Sequence, residues 1–225
     1  TKSGFLELLF KNGFIVEAVN IPTSLPYPFI LYLCKKVARE KADKGIVFIN
    51  PPLSLEERYG KIAKGGRNSP PLGLCSLAAA AREKGYKVYI IDAPVLDYGY
   101  QEIVKKIRGI SPKYIGITAS TIAINSAGKL ARELKLSSKE FVILIGGPHV
   151  TALPKETLLK YPDFDFGVIG EGEEVLMDLL SSLEDKRDLS LVKGLVFRKH
   201  GKIMMTERRP YINNLDVLPI PAWDL

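Results

Sequence analysis

Between Gly45 and Leu183 the chain alternates short apolar runs with longer helical stretches. The runs are Gly45–Asn50, Tyr86–Ile91, Tyr114–Thr118, Phe141–Ile145 and Phe166–Ile169. Helical stretches follow them at Leu72–Lys84, Gln101–Arg108, Ile124–Leu136, Pro154–Tyr161 and Glu173–Leu183. Each run is short, apolar on both faces and bounded by turn residues, which is the pattern of a buried strand. Strands separated by helices are joined by right-handed crossovers, and the resulting parallel sheet is covered on both sides. The expected fold is α/β: a doubly wound five-stranded parallel sheet, flavodoxin-like (Rossmann-like).

Local signals support the element ends. Pro70-Pro71 opens the first helix, where a missing N–H costs nothing. Gly85 closes it as a left-handed cap. Leu191–Phe197 and Lys202–Thr206 flank His200-Gly201, a hairpin signal that makes His200 an exposed turn residue. The tail Leu215–Leu225 reads as a linker. The first 44 residues are less regular: an apolar run at Phe5–Phe10, a strand at Phe14–Val19, a proline-broken linker and a short helix near Ile30–Lys41. Three segments are therefore expected: an irregular N-terminal extension (1–44), the α/β domain (45–190), and a hairpin and linker (191–225) leading toward a further C-terminal domain. The start on Thr1 and the proline-rich end read as cuts from a larger protein.

Composition narrows the function classes. The two cysteines, Cys34 and Cys75, exclude a disulfide framework and any cysteine-based zinc or iron–sulfur site made by this chain alone. Reduced thiols fit the cytoplasm. The net charge of +7 comes from scattered basic residues, many of them alternating with acids, as in Lys35–Lys41. That is a solvated helix face rather than a nucleic-acid footprint. The apolar stretch Phe29–Leu33 is too short to span a membrane.

In open α/β sheets, ligands bind beyond the carboxyl ends of the strands. Here those ends read Asn50-Pro51-Pro52, Thr118-Ala119-Ser120-Thr121, Gly146-Gly147-Pro148-His149 and Gly170-Glu171-Gly172-Glu173. Any single glycine after a strand is ordinary turn chemistry, and Thr118 or Ser120 alone is an ordinary helix cap. Together, at one edge of one sheet, they make a polar-edged floor for a large flat ligand. Glu171 and Glu173 admit an acid–base reading. The stronger reading is that they begin a helix, where the macrodipole stabilises negative charge. Arg58, Lys61, Lys64 and Arg67 form either a solvated loop or a contact for amides, phosphate or an acidic substrate.

Pro70–Leu74, Gly116–Thr121, Gly146–Thr151 and Gly170–Glu173, in this order and spacing, resemble the N-terminal cobalamin-binding domain of cobalamin-dependent radical SAM enzymes. That family includes methyltransferases and the anaerobic magnesium-protoporphyrin monomethyl ester cyclase. The resemblance covers Gly45 to Leu225, and Leu218–Asp224 looks like the family's bridge into the radical SAM barrel. It implies that Thr118, Ala119, Ser120 and Thr121 face the corrin edge and nucleotide tail. Gly146, Gly147, Pro148 and His149 would lie beside that tail, with Gly170, Glu171 and Gly172 closing its far side. Pro51 and Pro52 would lie below the corrin.

Two departures qualify the resemblance. The loop Leu53–Ser69 lacks the Asp-x-His-x-x-Gly phrase that supplies a lower cobalt ligand in methionine-synthase-type carriers, so no protein imidazole on cobalt is expected; His149 sits on the tail side. The Cys-x-x-x-Cys-x-x-Cys cluster motif is also absent. S-adenosylmethionine and a four-iron four-sulfur cluster would belong to a radical SAM domain elsewhere in the parent. The implied function is cobalamin binding in service of methyl transfer or a related radical reaction. A non-catalytic corrinoid carrier or sensor, or a flavodoxin-like module for another nucleotide, stands as the alternative.

Overall fold

The structure, a computed structural model, describes residues 14–20, 30–36, 45–54, 56, 57, 60 and 69–225. The Phe5–Phe10 run and Arg58, Lys61, Lys64 and Arg67 lie outside the described residues. The chain divides into two compact units, Thr1–Lys41 and Ala42–Leu225.

The first unit contains an antiparallel pair, β1 (Phe14–Asn20) and β2 (Ile30–Lys36), with Phe14 opposite Lys36 and Asn20 opposite Ile30. The expected helix near Ile30–Lys41 is thus a strand over Ile30–Lys36. A short apolar run has no period that separates helix from strand, and the backbone pairing to β1 decides the matter.

The second unit is built on β3 (Gly45–Asn50), β4 (Lys87–Asp92), β5 (Tyr114–Thr118), β6 (Val142–Gly146) and β7 (Phe166–Val168). All are parallel, in the order β4-β3-β5-β6-β7. This is the flavodoxin-like 2-1-3-4-5 order. The hairpin β8 (Leu195–Lys199) and β9 (Lys202–Met205) continues the same sheet antiparallel from β7, giving seven strands. An open β7 edge would leave unpaired N–H and C=O groups; β8 pairs them. His200 (φ 50°) and Gly201 (φ 76°) form the exposed turn, with the two positive φ values that match the twist of a two-residue hairpin.

The helices are α1 (Leu72–Glu83), α2 (Ala93–Leu96), α3 (Tyr100–Ile110), α4 (Ile124–Ser137), α5 (Pro148–Ala152), α6 (Pro154–Lys160) and α7 (Gly172–Glu184). Gly85 (φ 81°) caps α1 as expected: its N–H reaches Arg82 C=O at 2.9 Å and the Tyr86 N–H reaches Ala81 C=O at 3.1 Å, the paired bonds of a Schellman end. Pro71 stands at the N-cap of α1 rather than inside its first turn.

Strand alternation sorts the core into two layers. Val47, Ile49, Ile115, Ile117, Ile143 and Ile145 pack with α3 and α4 on one face. Ile46, Phe48, Tyr114, Leu144 and Val168 pack with α1 and α7 on the other. Successive strand residues point to opposite faces, so Gly116, Thr118 and Gly146 fall on the α1/α7 face. The last twenty residues run back over that layer. Ala222 is buried, and its N–H donates to the Cys75 carbonyl at 3.0 Å. Arg82 holds Asp224 through two bonds of 3.1 and 3.0 Å.

Candidate functional site

The α1/α7 face contains a cavity of about 260 Å³ at the carboxyl ends of β5, β6 and β7. Its floor comes from the sheet: Phe48, Gly116, Thr118, Leu144, Gly146 and Val168. Register explains the grouping. Phe48 stands beside Gly116, Gly116 beside Leu144, and Thr118 beside Gly146. A Cβ at Gly116 would lie 2.9 Å from the Phe48 ring, whereas one at Gly146 would meet nothing within 4 Å. The missing side chains at these two positions lower the floor between larger neighbours. The walls come from one side of each covering helix, with Gly73, Leu74 and Leu77 of α1 facing Gly172, Glu173 and Leu176 of α7, at the i, i+3 and i+4 spacing that puts residues on one helix face.

The rim is stitched by polar contacts. Ala119 N–H donates to Gly146 C=O at 3.0 Å, and His149 N–H donates to Ala119 C=O at 3.2 Å. Gly170 N–H donates to Thr151 Oγ1 at 3.0 Å. Gly147 adopts φ 101°, ψ −177°, a conformation open essentially to glycine alone. A Cβ there would stand 2.8 Å from the Ala119 carbonyl oxygen. Further along the edge, Asn50 Nδ2 donates to Asp92 at 2.8 Å, and the Ser126 hydroxyl donates to Pro52 C=O.

Of the residues expected at the site, Thr118, Gly146, Gly147, Gly170, Glu171 and Gly172 line this cavity. Pro51 and Ala119 are buried and Ser120, Thr121 and Pro148 exposed, none of them lining this cavity, and Pro52 lines a separate cavity of about 640 Å³ with Tyr100 and Lys129. Neither Thr118 nor Ser120 caps α4, whose N-cap is Ala123 with no side-chain bond. His149 lies in the short helix α5, half-buried, with Nδ1 3.3 Å from Thr121 Oγ1. Burial, and then the charge of Lys160, push its pKa below 6.5.

Glu171 and Glu173 do begin a helix: α7 starts at Gly172, with Glu173 and Glu174 in its first turn. Glu171 has a further partner, since its carboxylate accepts the Ile212 N–H at 2.7 Å. Beside it, Arg209 binds both Glu174 and Asp178. The cavity's wall helix is thereby tied to the C-terminal segment. Sequence reasoning left out Phe48, Gly116, Leu144, Val168 and the wall residues Gly73, Leu74, Leu77 and Leu176. The signal for Gly116 was present: it lies two residues before Thr118, on the same face.

Ser54 and Glu57 cap each other's backbone, at 2.8 and 3.1 Å, in the loop after β3. Among the described residues no group of three or more His, Cys, Asp or Glu is placed to hold a metal ion, and no helix is long and apolar enough to cross a membrane.

The sequence matches the family described as B12 binding domain over residues 61–180. It is 38% identical over 160 residues to an uncharacterized methyltransferase of Pyrococcus horikoshii, covering 71% of this chain and 35% of that protein. It is 32% identical over 183 residues to the anaerobic magnesium-protoporphyrin IX monomethyl ester cyclase of a Synechocystis species, covering 80% of this chain and 36% of that one. The chain thus spans about a third of the length of these relatives. Among solved structures, the fold is shared with the cobalamin-dependent S-adenosylmethionine radical enzyme OxsB with aqua-cobalamin and S-adenosylmethionine bound (TM-score 0.67, 19% identity, 90% of this chain and 28% of that one). It is shared also with the radical S-adenosylmethionine methyltransferase TsrM of Kitasatospora setae with cobalamin and a four-iron four-sulfur cluster bound (TM-score 0.61, 16% identity, 73% and 31%). A lowered, apolar-walled cavity at the carboxyl edge of a 2-1-3-4-5 sheet, in a chain matched over these residues, makes this protein a member of the B12-binding domain family, whose ligand is cobalamin.

Proposed function

We propose that this chain is the cobalamin-holding part of a radical SAM enzyme that carries out methyl transfer or a related radical reaction. The observation that carries the reading is the cavity floored by Gly116 and Gly146 and closed by α1 and α7. Its volume of about 260 Å³ lies just below the usual range for a whole small ligand, and suits one arm of a large cofactor. In this reading the cavity takes the nucleotide tail. The exposed Ser120, Thr121 and Pro148 and the half-buried Thr118 and His149 offer hydrogen-bonding groups and a close approach to the corrin above the edge. Bound cobalamin supplies a cobalt centre able to carry and pass on a methyl group; the protein's part is to bind and orient it and to exclude competing reactions.

The test is reconstitution of the full chain with hydroxocobalamin, followed by gel filtration and absorption spectroscopy. Stoichiometric retention of the corrin chromophore is expected. A folded protein, verified by circular dichroism, that retains no chromophore overturns the reading. The radical SAM part of the proposal is tested on the complete gene, where a downstream Cys-x-x-x-Cys-x-x-Cys is expected.

A further inference from the structure

We propose that β4, one edge of the large sheet, is the pairing edge for a second copy of this chain, joined antiparallel about a two-fold axis centred on Tyr89. The edge lies outside the cavity between α1 and α7. Among the described residues no strand pairs with the outer side of β4. In a parallel pair alternate residues of a strand turn their N–H and C=O to the neighbour, so every other residue of β4 turns them outward.

The two edges of the sheet are guarded differently. β9 is four residues long and is followed, after Thr206, by Glu207-Arg208-Arg209-Pro210. Short length, charge and proline all discourage edge pairing. β4 is six residues long and reads Val-Tyr-Ile-Ile between its end residues Lys87 and Asp92. It contains no proline and matches β3 residue for residue, without a bulge. Tyr89 and Ile90 are only partly buried, as are Tyr98 and Ile110 on the α3 face. Just past the strand, Val95 and Leu96 of α2 are 57% and 47% exposed. An open backbone ladder therefore runs through apolar surface, which marks an interaction site rather than an edge built for water.

The strand is complementary to itself. A two-fold axis normal to the sheet keeps each side chain on its own face, so only residues of the same parity can stand opposite each other. Two registers then pair five residues of β4, one centred on Ile90 and one on Tyr89. Centred on Ile90, the register sets Val88 against the second copy's Asp92 carboxylate. Centred on Tyr89, it sets Val88 beside the second copy's Ile90 on one face and Tyr89 beside its own counterpart on the other. Aliphatic and aromatic cross-strand pairs of this kind stabilise a ladder. The same register brings the Lys87 end of each strand to the Asp92 end of the other, so the charges that close the two ends are of opposite sign where the copies meet.

Sedimentation equilibrium of the full chain, without added ligand, is expected to show the mass rising from 24.9 kDa toward twice that value as concentration increases through the micromolar range. A monomer at every concentration overturns the proposal. Like charges directly opposite each other destabilise a strand pair and opposite charges stabilise it. Tyr89→Lys and Tyr89→Glu are therefore each expected to weaken self-association at least about fivefold, and an equimolar mixture of the two to associate more tightly than either alone. Self-association unchanged in the folded variants removes β4 from the interface, and a mixture no tighter than its components overturns the register on Tyr89. Hydrogen exchange of the wild-type chain needs no variant: amides of β4 are expected to be slower at high than at low protein concentration. Protection that is the same in the monomer and the dimer overturns the proposal, because another segment of the same chain then covers the edge.

Discussion

The Glu171 carboxylate, at the mouth of the cavity, accepts a 2.7 Å hydrogen bond from the backbone N–H of Ile212, forty-one residues later in the chain. One oxygen pair thus belongs both to the cavity rim and to the C-terminal segment. Hydrogen bonds to charged acceptors are worth about 1.5–3 kcal/mol. Glu171→Ala is expected to speed amide exchange at Ile212 at least about tenfold, and Glu171→Gln, which keeps an oxygen acceptor, to speed it less. Hydrogen exchange read by mass spectrometry checks this; unchanged exchange in Glu171→Ala refutes the latch.

Gly146 and Gly147 are adjacent, but they test different things. Space opens in front of Gly146, so Gly146→Leu is expected to keep the fold and weaken cobalamin binding at least tenfold, about 1.4 kcal/mol. Gly147 combines φ 101° with backbone atoms 2.8 Å from any Cβ. Gly147→Leu is therefore expected to lose about 1–3 kcal/mol of stability to strain alone, before any effect on binding. Thermal denaturation beside a binding titration separates the two variants, and full affinity in Gly146→Leu takes that glycine out of the site.

His149 sits beside Thr121 on the α5 side of the edge, and the loop after β3 has no histidine. The electron paramagnetic resonance spectrum of the cobalt(II) form is expected to show no nitrogen splitting from the protein, in wild type and His149→Ala alike. Splitting that disappears in the variant makes His149 an axial ligand and moves the cofactor.

The same histidine gives a pH signature. Its folded pKa is pushed below 6.5 by burial and then by Lys160, so below that value the unfolded chain binds a proton that the folded imidazole resists. The stabilising contribution is complete above about pH 6.5 and falls away as pH drops through the folded pKa. Denaturant unfolding at pH 7.5 and 5.5 is expected to show a smaller loss of stability in His149→Gln than in wild type. An equal loss in both contradicts the assignment.

Much of the fold was legible because parallel strands buried on both faces read as continuous apolar runs, and the five runs and their helices appear where the alternation puts them. The same property hid part of the site. With no polar residue to mark a face, Phe48, Leu144 and Val168 look like any core residues, and only register shows that they share a floor with Gly116. The helical walls at Leu77 and Leu176 carry ordinary core chemistry and depend on long-range packing, which no local pattern encodes. Ile30–Lys36 was misread for a related reason: its apolar run is too short to carry a period, and its partner β1 had to be found across a proline-rich connection. The attachment of the hairpin to β7 was equally invisible, since a hairpin signal is local and the choice of sheet edge is not.

The paired bonds between Arg82 and Asp224 join positions 142 residues apart, and they sit at the end of a segment laid over the helices that wall the cavity. On the ribosome, all five parallel strands and both wall helices are synthesised before that segment. At about 5–20 residues per second, Asp224 follows the end of α7 at Glu184 by roughly 2–8 s. The sheet and both wall helices are thus complete in sequence before the segment that braces them from outside, and the bonds of that brace are the last of the domain to become possible.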